Sequence, residues 1–136
     1  MKRFNKILFP IDFSEVSSEI VPYVISLADR FNAEVHIIFV VRRLETCRSI
    51  FVSHVAVENF EMEIVLGAET KMDEFVEAFF NSTIRPKTKI LIGDIIEEII
   101  KYIKAKGINL VVIETHGRKG MDRIILGSIA DKVIKS

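Results

Sequence analysis

A single cysteine, Cys47, forbids an internal disulfide and supplies too few thiolates for a structural zinc site. Together with an N-terminus that carries no secretory leader pattern, this points to the cytoplasm. Net charge is also lacking: 19 basic and 19 acidic residues cancel. No global field holds a polyanion against salt, so nucleic acid is set aside as a partner and any anion site must be local. No apolar run approaches about 18 residues, the length of a membrane-spanning helix, so a membrane is set aside too. Glycines are few, six in 136 residues, yet Gly117, Gly120 and Gly127 lie close together near the C-terminus. Glycine is placed where backbone turns through positive φ or approaches something closely, so that cluster is the first place to look for function.

What is present is a 49% hydrophobic fraction beside 28% charged residues, enough apolar surface to offset chain ordering in a soluble domain. At 136 residues the chain has the length of one domain, taken as 1–136. Residues 6 to 11 form a short apolar run closed by Asp12, which reads as a strand. Ser14 is placed to cap a following helix that runs to about Phe31, with Ile20, Val24, Leu27, Ala28 and Phe31 on one face. Pro22 inside it predicts a kink or a late start. Residues 34 to 41 are β-branched and almost continuously apolar, the pattern of a strand covered on both faces.

Residues 42 to 57 have no clear period and read as irregular, with room for a short helix. A helical face reappears from about Met62 to Phe80 through Val65, Met72, Phe75, Val76, Phe79 and Phe80. Lys89 to Ile92 reads as a third strand. Asp94 and Glu97 then form a capping-box-like pair before a helix whose face is Ile95, Ile96, Ile99, Ile100 and Ile103, and Gly107 stops it. Residues 109 to 113 are a fourth strand, followed by the glycine loop and a last helix from about Gly127 to Lys135. Strands and helices alternate throughout, which predicts an α/β fold: an open parallel sheet with helices on both faces. Ligands of such sheets bind beyond the C-terminal ends of the strands.

The stretch from Glu114 to Ser128 leaves a strand and enters a helix. A helix N-terminus presents unpaired N–H groups and a partial positive charge, so it can hold an anion. Gly127 would let a phosphate approach the backbone and Ser128 would add a hydroxyl. Gly117 would let the loop fold back, and Arg118 or Lys119 would add charge. The spacing is neither a dinucleotide GxGxxG nor a Walker A loop. On residues alone, glycines that only turn the chain and cap a helix explain the loop about as well as phosphate binding does.

These residues resemble the universal stress proteins over essentially the whole chain, from Lys6-Ile7-Leu8-Phe9-Pro10-Ile11-Asp12-Phe13-Ser14 to Gly127-Ser128. The most specific part is the family's nucleotide signature, Gly-x-x-Gly followed by nine residues and Gly-Ser/Thr. Gly117, nine residues and then Gly127-Ser128 match it, whereas Glu114 stands where its first glycine falls.

The resemblance implies a Rossmann-like sheet of strand order 3-2-1-4 with a fifth strand, and ATP or AMP, with or without Mg²⁺, beside strand one. Asp12 is similar to the family aspartate near adenine and ribose, Pro10 belongs to the same surface, and the backbone of Val40 would address the adenine edge. Thr115, His116, Gly117, Arg118 and Gly120 would run along ribose and phosphates. Gly127, Ser128 and Ile129 would offer donors to phosphate. Glu114 would repel a triphosphate, accept a hydrogen bond from a ribose hydroxyl, or face solvent.

The function expected on this resemblance is a nucleotide-binding stress-response regulator, forming a homodimer and at most slowly hydrolysing ATP. Its alternative is a dimerisation or protein-interaction scaffold of the same fold that binds no nucleotide, motivated by Glu114. The family's fifth strand follows the last helix and commonly pairs across the dimer, but the chain stops at Ser136 while its pattern is still helical. Strand four is therefore expected to be a bare edge, completed by a missing segment or a neighbour.

Other residues carry less. His36 is expected as a packed sheet residue, and three scattered histidines do not make a metal site. A triad of Asp12, His116 and Ser128 lacks anything that orders the histidine between nucleophile and acid. The aromatic residues fall mostly on core faces.

Overall fold

A computed structural model describes residues 5–43, 54–80, 84–113 and 123–126. In chain order the elements are β1 (Lys6–Pro10), α1 (Glu15–Phe31), β2 (Glu34–Val41), α2 (His54–Phe79), β3 (Lys87–Ile92), α3 (Ile95–Lys106), β4 (Leu110–Ile113) and β5 (Arg123–Leu126). The sheet order is β3-β2-β1-β4-β5. The first four strands are parallel neighbours, with Leu8 opposite His36 on one side and Val111 on the other.

The two-residue period of the strands divides the core into two layers. Ile7 and Phe9 of β1, with Ile11 beyond it, join Val35 and Ile37 of β2 and Leu110 and Val112 of β4. They pack against Ile20 and Val24 of α1 and Met72 and Phe75 of α2. The alternate residues Leu8, Ile38 and Val111 pack on Ile99, Tyr102 and Ile103 of α3. Helices therefore cover both faces, as the alternation predicts. Phe9, Ile7 and Leu8 are fully buried, and burial of such side chains stabilises the fold by about 1.5–3 kcal/mol each.

The helix ends are where the sequence puts them. Ser14 caps α1, its side chain accepting from the Ser17 N–H, and Asn32 closes it in the left-handed region at φ 50°. Asp94 caps α3 by accepting from the Glu97 N–H, and Gly107 ends it at φ 67°. Because α1 begins at Glu15, Pro22 marks no late start. It is exposed, so water can meet the Ser18 carbonyl that loses its usual donor.

Three expectations are corrected. First, β4 is not a bare edge: β5 pairs with it antiparallel, Leu110 opposite Leu126 and Ile113 opposite Arg123. The expectation of no fifth strand failed because the neighbouring glycines masked the short run Arg-Ile-Ile-Leu as loop. An unpaired edge beside an apolar run is satisfied by pairing. Second, α2 starts at His54, eight residues before the predicted Met62. Third, Ile95 and Ile96 are exposed, and the buried face of α3 is Ile99, Tyr102 and Ile103.

Candidate functional site

β1 stops at Pro10 while β2 continues to Val41. The last bond between them is from the Ile11 N–H to the Ile38 carbonyl at 2.9 Å. Peptide groups alternate sides along a strand, so Val40, two residues on, turns its N–H and C=O to the same side as Ile38, past the point where β1 has ended. On the opposite side the Gly93 N–H bonds the Val41 carbonyl at 2.9 Å, in keeping with that alternation. Val40 thus presents a donor and an acceptor, side by side, to a crevice of about 250 Å³.

Asp12 stands at the mouth of this crevice. Its Oδ1 accepts from the Ser14 N–H and from the Ser17 hydroxyl, both at 2.9 Å. The Asp12 N–H in turn donates to Ser17 Oγ at 3.3 Å. Ser17 is fully buried, so the carboxylate is anchored to a fixed point of α1. Between them Phe13 adopts φ 63°, a costly conformation for a bulky residue. Its ring is held against Phe39 at 4.7 Å and Phe75 at 6.3 Å, and that packing offsets the strain of the tight turn.

The remaining wall is apolar: Pro10, Ile38, Ile95, Ile99 and Ile113. It comes from the strand ends and the first turns of α3. That helix N-terminus is already served by Asp94 as cap and by Glu97 and Glu98 in its first turn, so it suits a neutral ring better than an anion. A flat heteroaromatic ring with an adjacent donor and acceptor on its edge would stack on the isoleucines and bond the Val40 backbone. Asp12 would accept from a sugar hydroxyl. The described residues thus fit the base and sugar end of a nucleoside.

Of the residues predicted from sequence, Pro10, Asp12 and Val40 come together here. Glu114, Thr115, His116, Gly117, Arg118, Gly120, Gly127, Ser128 and Ile129 lie outside the described residues. So does the predicted last helix. The strand end at Ile113 also lines the crevice, whereas sequence reasoning missed Phe13, Ser17, Ile95 and Ile99 as parts of the site. The Asp-x-Ser-x-x-Ser spacing around the α1 cap was the available signal for Ser17. A larger groove, about 890 Å³, lies at the other end of the sheet between α1 and the end of α2. It touches none of the predicted residues, and the open backbone edge at Val40 favours the strand-end crevice. Among the described residues no cluster of His, Cys, Asp or Glu could hold a metal ion. No described helix is long and apolar enough to cross a membrane.

Comparison with known proteins gives a consistent picture. Residues 3–136 match the model of the universal stress protein family. Universal stress protein MJ0531 of Methanocaldococcus jannaschii is 34% identical over 139 residues, covering 98% of this chain and 77% of the relative. Among solved structures, that of MJ0577 superposes with a TM-score of 0.73 at 23% identity, over 99% of this chain and 91% of that one. A universal stress protein crystallised in complex with cAMP gives a TM-score of 0.51 at 12% identity, over 82% of this chain and 72% of that one.

Proposed function

Because the chain belongs to the universal stress protein family, we propose that it binds an adenine nucleotide, ATP or AMP, in the crevice beyond β1 and β2. It would act as a regulatory module in the cytoplasm. The observation that carries this reading is the Val40 backbone edge facing the same apolar crevice as the anchored Asp12. The complex of one relative with cAMP supports the same ligand class. Thr115 to Arg118, with Gly120, would follow ribose and phosphates, and Gly127, Ser128 and Ile129 would donate to phosphate. A homodimer belongs to this reading: of the two sheet edges, β3 carries exposed Lys87 and Lys89, which resist strand addition, so pairing would use β5. No catalytic residue is assigned, and any ATP hydrolysis is slow.

Freshly purified protein, denatured and analysed for released adenine nucleotide, tests this directly, followed by calorimetric titration with ATP and AMP. No released nucleotide and no binding at about millimolar ligand, where only some 4 kcal/mol of binding free energy is needed, overturns it.

A second reading, a scaffold that binds no nucleotide, rests on Glu114, which follows the crevice residue Ile113 in the chain and replaces the first glycine of the signature. Like-charge repulsion near a triphosphate is on the order of 1 kcal/mol or more. The scaffold reading expects Glu114→Gly to create or strongly improve ATP binding. Unchanged affinity counts against it.

A further inference from the structure

α2 is a helix of 26 residues, but only its second half packs against the sheet. Its buried side chains begin at Ala68 and continue with Met72 and Phe75, whereas no described side chain from Val55 to Leu66 is buried. That first half is nonetheless apolar: Val55, Phe60, Met62 and Leu66 are each more than half exposed. At 3.6 residues per turn, Val55, Met62 and Leu66 fall within about 40° of one another, a single stripe along three turns. Scattered exposed apolar residues are ordinary, but three aligned on one face of a half-helix that buries no described side chain, with only the exposed Asn59 set among them, mark a contact surface.

Charge identifies what fits it. Exposed Glu63 and Glu69 border the stripe, and exposed Asp73 continues it. Over its whole length α2 carries seven carboxylates against one lysine, Lys71. A second copy packed through this face would bring two carboxylate rims together, and an anionic membrane would be repelled in the same way. A cationic helix with its own apolar stripe is complementary on both counts. Gly67 lies where the two halves of α2 meet, and a Cβ there would touch nothing within 4 Å. Packing does not require a glycine, and its effect is to lower helix stiffness at the junction.

We propose that the first half of α2 is a docking ridge for a lysine- or arginine-rich amphipathic helix of a partner protein. No residue of α2 lines the strand-end crevice. The test is fluorescence anisotropy of a labelled peptide of about twelve residues, which is about three turns, with leucines on one face and lysines on the other. The full chain is titrated into it, and into the same peptide with glutamates replacing the lysines.

The lysine peptide is expected to bind and to weaken with added salt, and the glutamate peptide is expected not to bind. Met62→Ser/Leu66→Ser should weaken binding at least about tenfold, and so should Glu63→Lys/Glu69→Lys. All four positions are exposed, so the variants should keep the fold, which circular dichroism checks. Absent binding, equal binding of both peptides, or binding unaffected by either pair of substitutions overturns the proposal. Self-association, or co-sedimentation with phosphatidylserine vesicles, would also overturn it if Met62→Ser/Leu66→Ser abolished that while the lysine peptide failed to bind. In that case the second copy or the membrane is the occupant.

Discussion

His36 of β2 and Tyr102 of α3 meet at 2.7 Å between Nδ1 and Oη inside the otherwise apolar layer under α3. The other ring nitrogen, Nε2, lies 2.5 Å from Glu34 Oε1, which Lys87 Nζ also approaches at 3.4 Å. A carboxylate can only accept, so Nε2 carries the proton, and in the neutral ring Nδ1 accepts from the tyrosine hydroxyl. Both nitrogens of a buried ring are thereby satisfied, and a polar thread runs from the core to the surface along the start of β2 and β3.

That thread should be costly to cut in the middle. Tyr102→Phe keeps the ring packing, including the edge-on contact with His36, but leaves a buried nitrogen without a partner. The expected loss is about 1–3 kcal/mol, the cost of one unsatisfied buried polar group. Urea unfolding should show a lower midpoint with an unchanged slope.

The same thread sets two pH limits. The hydrogen bond from His36 is the main reason the Glu34 carboxyl lies below its ordinary value of 4.5; burial opposes it and Lys87 assists. A depressed folded value means the stabilisation is complete above the unfolded carboxyl pKa and is lost as pH falls through the folded one. Burial, and then the Glu34 charge, push the Tyr102 hydroxyl above its ordinary 10.0. Its contribution is present below that value and is lost as pH rises towards the raised one, because the unfolded tyrosine ionises first. Unfolding free energy measured across acidic, neutral and alkaline buffers should therefore fall at both ends. Glu34→Gln should flatten the acid limb and Tyr102→Phe the alkaline limb.

Two glycines should respond in opposite directions to alanine. At Gly67 the added Cβ meets nothing and the backbone is helical, so Gly67→Ala should stabilise by about 0.5–1 kcal/mol. Gly93 has φ 154° and its Cβ would lie 2.8 Å from Glu98 Oε2. Gly93→Ala should destabilise by about 1–3 kcal/mol through the backbone term. Adding Glu98→Ala should not restore it, since that removes only the contact with a flexible side-chain end. Thermal unfolding of the three variants distinguishes these outcomes.

Where sequence and structure agree, the agreement has a local cause. Ser14, Asp94 and Gly107 mark helix ends through their own backbone chemistry, and the apolar runs of β1, β2 and β4 have a strand's length and composition. The misses were set by tertiary contacts. β5 is a four-residue run whose identity depends on the edge of β4. The start of α2 was hidden because its first half buries no described side chain and exposes Val55, Phe60, Met62 and Leu66, so its sequence shows no core-facing period. In the site, Asp12 and Val40 were legible through a family motif, whereas Ile95 and Ile99 became a crevice wall only once α3 was laid beside the strand ends. For Ser17 the only signal was its spacing from Asp12 and Ser14, which places it one turn into α1 but does not say that its hydroxyl is buried against Asp12.

Asp12 and Ser17 offer the clearest separation of binding from folding. Asp12→Asn retains an oxygen that can accept from the Ser14 N–H and the Ser17 hydroxyl but weakens both bonds by removing the charge, so stability should fall by about 1 kcal/mol. It removes the charge that would favour a bond from a sugar hydroxyl, and nucleotide affinity measured by calorimetry should fall several-fold. Ser17→Ala removes a buried hydroxyl bonded to Asp12 through both its side chain and its backbone. It should cost about 1–2 kcal/mol of stability and also weaken binding, because the carboxylate loses its anchor. If Ser17 were only structural, nucleotide affinity of the folded variant would match that of the unsubstituted chain. A loss of affinity at a temperature where the variant is fully folded identifies it as the residue that positions Asp12.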